Sequence, residues 1–104
     1  MIARVWHGTT GGPVEAGRYE AHLKKTVIPE LASIAGHRGV YVMKRPGEGG
    51  IDFMVVTLWE SIEAIGTFAG EDVEAAVVAL EAQALLSTYE GRARHYEVVL
   101  SSHP

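Results

Sequence analysis

The stretch from Asp52 to Trp59 reads Asp-Phe-Met-Val-Val-Thr-Leu-Trp. Successive side chains of a β-strand point to opposite faces, so Phe53 and Val55 share one face while Met54 and Val56 share the other. Both faces are apolar, whereas a strand with one solvent-exposed face alternates apolar and polar residues. The stretch therefore predicts a strand inside a sheet that is covered on both faces.

The length and composition indicate one globular domain. The chain has 104 residues, of which 47% are hydrophobic and 21% charged. A chain of this size forms a single core, so we expect one domain over residues 1–104, with 101–104 as a loose tail.

Charge and composition also exclude several classes of function. The formal net charge is -4, so there is no basic field to attract nucleic acid or anionic lipid. The chain has no cysteine, which rules out disulfides, thiolate nucleophiles and cysteine-bound metal. No apolar run approaches the ~20 residues that span a bilayer, and the N-terminus does not have the pattern of a signal peptide. We therefore expect a cytoplasmic protein without nucleic-acid or membrane partners.

The remaining segments follow in a simple order. Periodicity and turn residues predict the strands 2–7, 39–45, 52–59 and 92–100 and a helix over 14–35. They also predict a short helix with Ser61 as its N-cap and Gly70 as its end, a helix after Asp72 with a stripe of Val73, Ala76, Val77 and Leu80, and a helical turn around Ala82, Leu85 and Leu86. Pro29 interrupts the first helix because it lacks an N–H group and its ring clashes with the Lys25 carbonyl. The glycine-rich link after Arg45 is short enough for an antiparallel hairpin.

This order predicts an α+β protein with the split βαβ arrangement of ferredoxin-like folds and a four-stranded antiparallel sheet. Its helices can cover only one face of that sheet. The other face would carry an apolar patch larger than monomers usually expose. A second copy of the chain is the simplest cover, so we predict a homodimer with two sheets packed face to face.

With these elements in place, the sequence resembles the antibiotic biosynthesis monooxygenase family of dimeric α/β-barrel proteins. The segments that carry the resemblance are 19–31, 36–42, 56–61, 68–73 and 94–98. The family includes monooxygenases without a cofactor that oxidise aromatic or quinol substrates, and a branch that degrades haem. The resemblance implies a possible enzyme of the first kind, acting on a small aromatic, quinol or polyketide-like substrate between sheet and helices, with no cofactor.

The haem branch is disfavoured by the same resemblance. That branch typically uses an Asn on the first strand and, around the second helix, a Trp and a haem-ligating His. The alignment places His7 at the Asn, Phe68 at the Trp and Val78 at the His. A valine has no lone pair to offer to iron.

The resemblance also suggests which side chains form the pocket. It implies that Ala3, Val5 and His7 face the cavity, while Arg4 and Trp6 point into the dimer barrel. His7 is then the candidate catalytic base or polar anchor, since imidazole titrates near neutral pH. The alternative is a strand-end histidine held by a backbone carbonyl. Arg4 needs a partner on a buried face, and Glu97 or Asp52 is the expected one.

The candidate substrate-binding walls are Tyr41, Trp59, Phe68 and Val78, with ordinary core packing as the alternative for the aromatic residues. His22 and His37 are expected to be solvated. No histidines and carboxylates have the close spacing of a metal site, so we expect no metal. The competing function is a non-catalytic dimeric barrel that binds a small hydrophobic ligand or acts in a stress response.

Overall fold

The computed structural model describes the chain from Met1 to Pro104 and contains one antiparallel sheet. Its strands are β1 (Ile2–Thr10), β2 (His37–Gly47), β3 (Gly50–Trp59), β4 (Leu86–Tyr89) and β5 (Arg94–Glu97). The order is β2-β3-β1, and β4 and β5 share the remaining edge, because β4 pairs with the end of β1 and β5 with its beginning. The predicted α+β, ferredoxin-like arrangement is confirmed. The strand predicted over 92–100 is shorter and covers Arg94–Glu97, and Leu86, predicted in a helical turn, instead begins the additional short strand β4, so the sheet has five strands and not four.

The helices are short except for the first. They are α1 (Pro13–His22), a π-helical turn (Leu23–Val27), α2 (Ile28–Ala32), α3 (Ile62–Ala69) and α4 (Leu80–Gln83). The first three follow one another without a break. In the π-helical turn the Ile28 N–H donates to the Leu23 carbonyl, five residues back. The interruption expected at Pro29 thus takes the form of a wider turn just before it, where a proline cannot donate to Lys25.

The turns and caps follow local chemistry. Gly47 pairs with Gly50 across the β2–β3 hairpin, and Gly50 has a φ of +136°, a region that favours glycine. The Ala64 N–H donates to the Ser61 hydroxyl at 3.2 Å, which confirms Ser61 as the N-cap of α3. Gly70, with a φ of +86°, ends that helix as predicted.

The segment between α3 and α4 is the main departure from the predicted elements. Val73, Ala76, Val77 and Leu80 do not form a helical stripe, and only Leu80–Gln83 is helical. Backbone groups of this segment pair with the chain before β5 instead: the Ala76 N–H donates to the Gly91 carbonyl at 3.0 Å, and the Ala93 N–H to the Glu74 carbonyl at 2.8 Å. These long-range bonds keep the segment from becoming a helix, because a backbone group that is bonded across the fold cannot also bond within a helix.

The helices cover one face of the sheet. Phe53, Thr57 and Trp59 of β3 are buried on that side. The opposite face carries exposed apolar side chains: Tyr41, Met43, Met54 and Tyr96. The helices of one chain therefore cover only one of the two apolar faces of β3. None of the helices combines the length and apolar character needed to cross a membrane.

Candidate functional site

A cavity of about 80 Å³ lies between the covered face of the sheet and the helices. Fourteen residues line it, of which eleven are hydrophobic. The three others are Arg4 and Thr57 on the sheet and His22 at the end of α1. A space of this kind binds apolar molecules and uses a few polar groups to orient them.

The strand parity of β1 decides which side chains reach the cavity. Arg4 and Trp6 lie opposite Thr57 and Val55 in the β1–β3 register, and all four line the cavity. His7 lies opposite Met54, on the exposed face of the sheet. The prediction that Ala3, Val5 and His7 face the cavity is therefore wrong, as is the prediction that Arg4 and Trp6 point into the dimer barrel.

Close packing beside Trp6 explains why this parity holds. A Cβ added at Gly8 would lie 2.6 Å from Cη2 of the Trp6 indole and 3.2 Å from Cδ2 of Leu86. The glycine thus leaves room for the ring on the covered face. The Trp6 indole N–H also donates to the Glu90 carbonyl at 2.7 Å, which satisfies its polar atom.

Arg4 is the buried cation of the cavity, with only 4% of its surface exposed. Its Nη1 donates to the Val73 carbonyl and its Nη2 to the Ala75 carbonyl, the latter at 2.6 Å. The guanidinium carbon also lies 5.8 Å from the centre of the Phe68 ring, within the range of a cation–π contact. The same carbonyls belong to the segment that fails to become helical, so Arg4 ties that segment to β1.

No carboxylate forms an ion pair with Arg4. Asp52 accepts instead from the Thr9 hydroxyl at 2.8 Å, and Glu97 lies opposite Ile2 on β5, so the predicted pairing with either residue is wrong. Burial lowers the pKa of Arg4, and the charge of Glu74 opposes that shift from beyond ion-pair distance. The guanidinium stays charged because arginine does not deprotonate in proteins. Its charge is therefore met at hydrogen-bond distance by dipoles and not by a carboxylate.

His95 completes the surroundings of Arg4. Its Nε2 lies 2.9 Å from the Arg4 Nη1. Burial and then the Arg4 charge lower the pKa of His95, with Glu74 opposing. Because a guanidinium only donates, Nε2 accepts and the imidazole is neutral.

His7 occupies a different environment. Its Nδ1 lies 2.9 Å from Oε1 of Glu90, whose other oxygen pairs with Arg94 at 2.9 Å. The histidine side chain is 42% exposed. It is neither in the cavity nor held by a backbone carbonyl, and its predicted role as the base of the cavity has no geometric support.

The four predicted wall residues separate into two groups. Phe68 and Val78 line the cavity. Trp59 is completely buried in the core, where its N–H donates to the Thr57 hydroxyl at 2.8 Å. Tyr41 lies on the other face of the sheet and is 55% exposed, so neither it nor Trp59 reaches the cavity.

Sequence reasoning expected His22 to be solvated and did not place it in the cavity. His22 stands three residues after Tyr19 and one before Leu23, on the helix face that packs against the sheet, and this spacing was a usable signal. Tyr19 is buried and meets Phe53 edge-on, with ring centres 4.9 Å apart. Burial raises the pKa of Tyr19, which keeps it a neutral phenol. For Arg4, by contrast, the sequence contained no signal, because alternation along a strand does not indicate which face the helices cover.

The position that the resemblance assigns to the haem ligand carries no donor in this chain. Val78 faces the cavity at the position that the resemblance assigns to the haem ligand, and it offers no lone pair. No three side chains of the His, Cys, Asp and Glu types lie close enough together to hold a metal ion.

Comparison with known proteins identifies the architecture. A protein from Bacillus cereus named as an antibiotic biosynthesis monooxygenase superposes with a TM-score of 0.63 at 15% identity, over 99% of this chain and 97% of that one. The chain has the fold of the antibiotic biosynthesis monooxygenases. The ActVA-Orf6 monooxygenase of Streptomyces coelicolor, in complex with nanaomycin D, gives 0.63 at 14% identity, over 99% and 91%. A haem-free haem-degrading protein of Mycobacterium tuberculosis gives 0.55 at 24% identity, over 97% and 99%.

Sequence comparison adds nothing to this. No protein-family model matches the chain. A search of curated proteins also finds no match. At these identities the likeness establishes the antibiotic biosynthesis monooxygenase fold and not the chemistry.

Proposed function

We propose that this protein is a monooxygenase that needs no metal or flavin and acts on a small aromatic or quinol substrate in the cavity between sheet and helices. The observation that carries the proposal is the cavity itself, an apolar space with Arg4 and His22 at its wall. The ActVA-Orf6 monooxygenase, which has the same fold, has been crystallised with nanaomycin D, which supports a small-molecule substrate.

The chemistry proposed for the cavity divides between substrate and protein. An electron-rich phenol or quinol supplies the electrons that reduce oxygen once it has lost a proton. The protein supplies a proton acceptor, an oriented binding site and exclusion of water. His22 replaces His7 as the candidate acceptor, because it is the imidazole that lines the cavity. Trp6 and Phe68 provide flat apolar walls for a ring.

The test is oxygen uptake by the metal-stripped protein with a panel of hydroquinones and phenols. We expect uptake above buffer that falls in Val78→Phe, which fills the cavity, and in His22→Gln. The matched controls are Val99→Phe and His103→Gln, which lie in the exposed C-terminal tail. Uptake equal to buffer alone, or unchanged by Val78→Phe, would refute the proposal.

A second function is favoured by the size of the cavity. At about 80 Å³ it is smaller than the ~150 Å³ apolar cavity that holds benzene in an engineered protein. An aromatic ring enters this space only through the side where the cavity opens to solvent or with movement of its walls, whereas a smaller apolar ligand needs neither. Calorimetric titration separates the two functions: a ligand that binds in parent and not in Val78→Phe, without any oxygen uptake, would favour the second.

We also propose that the protein is a homodimer that pairs through the uncovered face of the sheet. Tyr41, Met43, Met54 and Tyr96 expose between 36% and 55% of their surfaces on this face. Val5 and Val56 lie between them, paired in the β1–β3 register. A contiguous apolar face of this kind is uncommon in monomers, and an identical face on a second chain covers it by symmetry.

A further inference from the structure

Arg4 is a buried charge without a counter-charge. Buried charges in proteins are normally paired with an opposite charge, since removing an ion from water is costly. The groups that bind the Arg4 guanidinium are two backbone carbonyls and the neutral His95 imidazole. Carbonyl and imidazole dipoles satisfy hydrogen-bond donors, but they leave the net charge of the group intact.

The guanidinium lies beside the cavity, against the Phe68 ring that also lines it. Arg4 is one of its lining residues, on the same face as Trp6 and Thr57. Most of the other lining residues are hydrophobic, which keeps the local dielectric low and strengthens the attraction of an anion. Nη1 and Nη2 make the three hydrogen bonds of the guanidinium, and Nε makes none. The group thus keeps donor capacity for a ligand.

The nearby carboxylates do not cancel the attraction of Arg4 for an anion. Glu74 acts on both Arg4 and His95, but it is exposed and forms its ion pair with Arg92 at 3.2 Å. Asp72 accepts from the same Arg92 at 2.9 Å. Both carboxylates are therefore engaged outside the cavity.

We propose that Arg4 binds an oxyanion of the ligand, either a phenolate or a carboxylate on a small apolar body, so that the cavity selects anions over neutral molecules of the same shape. This inference rests on the proposal that the cavity is the substrate site. An ordered guanidinium in an apolar space binds a carboxylate or phenolate through charge-assisted hydrogen bonds. The hydrophobic part of the ligand then lies against Trp6 and Phe68.

The first experiment uses the unmodified protein. Benzoate and benzamide have nearly the same shape and differ in charge, and calorimetry gives the affinity of each. We expect benzoate to bind about tenfold or more tightly than benzamide, as a charged hydrogen bond predicts. Binding of a phenolate is tested with 4-nitrophenol, whose affinity for the protein should rise with pH as the phenol ionises. Equal affinities for benzoate and benzamide, or no binding by either, would overturn the inference.

Substitutions then locate the effect. Arg4→Gln removes the charge but keeps a donor for the Val73 and Ala75 carbonyls, and it should abolish the preference for benzoate. Arg4→Lys should retain much of it. Arg18→Gln removes an exposed arginine of α1 and should leave the preference unchanged. A preference that persists in folded Arg4→Gln would place the anion elsewhere and refute the role of Arg4.

This result is separable from the proposed enzymatic activity. Preferential binding of benzoate without oxygen uptake by any substrate would retain the anion site and reject the monooxygenase. Oxygen uptake with neutral quinols and no preference for anions would retain the monooxygenase and reject the anion site.

Discussion

The Arg4 guanidinium lies against the His95 imidazole of the paired strand, with Nη1 2.9 Å from Nε2. The contact requires a neutral histidine, because a protonated ring would have no acceptor and would repel the guanidinium. The two residues also lie opposite each other in the β1–β5 register. The contact therefore links the protonation of His95 to the pairing of β5 with the rest of the sheet.

Stability should fall as the solution becomes acidic below about pH 6.5. Burial and the Arg4 charge lower the pKa of His95 below its usual 6.5, so the unfolded chain binds more protons than the folded one in this range. His95→Gln keeps an acceptor for Arg4 and should reduce the loss of unfolding free energy between about pH 7 and pH 5, measured by urea titration. His37, whose pKa is also lowered by burial, accounts for a remaining slope. His103→Gln is the control, and equal pH profiles for His95→Gln and parent would contradict the prediction.

Gly8→Ala should destabilise the protein. The added methyl group meets the Trp6 ring at 2.6 Å and Leu86 at 3.2 Å, so the indole can give way only by straining its hydrogen bond to the Glu90 carbonyl. Overpacking of this kind costs about 1–3 kcal/mol in unfolding free energy. Gly17→Ala is the matched control, because it lies in α1 with no atom within 4 Å of the new Cβ, and should stabilise by about 0.5–1 kcal/mol. Equal denaturant midpoints for the two variants would show that the contact at Gly8 is unimportant.

Thr57→Val should destabilise the core through Trp59. The Thr57 hydroxyl accepts the indole N–H at 2.8 Å, and valine leaves that buried donor without a partner, at a cost of about 1–3 kcal/mol. In Trp59→Phe the donor is gone, so Thr57→Val should then cost less. Urea unfolding of the two single variants and the double variant measures the coupling. Additive losses would show that the bond contributes nothing. Thr88→Val, on the exposed β4 strand, should change stability by no more than about 0.5 kcal/mol.

Tyr41→Lys should dissociate the proposed dimer. The residue projects from the uncovered face opposite Val56, and burying a lysine between two apolar sheets leaves its charge unpaired. Sedimentation velocity should show a dimer for the parent and a monomer for the variant at micromolar concentration. Val14→Lys, at a similarly exposed apolar position on α1, should remain dimeric. A folded monomer for the parent at every concentration would refute the dimer.

Local chemistry predicted much of the fold. The doubly apolar β3, the Ser61 cap and the Gly70 stop each depend on neighbouring residues, so they are visible in the sequence. The stripe that begins at Val73 was misleading. Its backbone is held by bonds from the Ala76 N–H to the Gly91 carbonyl and from the Ala93 N–H to the Glu74 carbonyl, and Arg4 donates to the Val73 carbonyl. Bonds between such distant residues leave no periodic signal.

The sequence by itself determined the α+β order of elements and the fact that Arg4 and His7 lie on opposite faces of β1. Only the tertiary structure decided which of them enters the cavity. The reason is that side chains along a strand alternate between two faces, so the sequence pattern separates the two faces but does not indicate which one the helices cover. That choice came from packing: Trp6 fits over Gly8, and carbonyls from a distant segment bind Arg4.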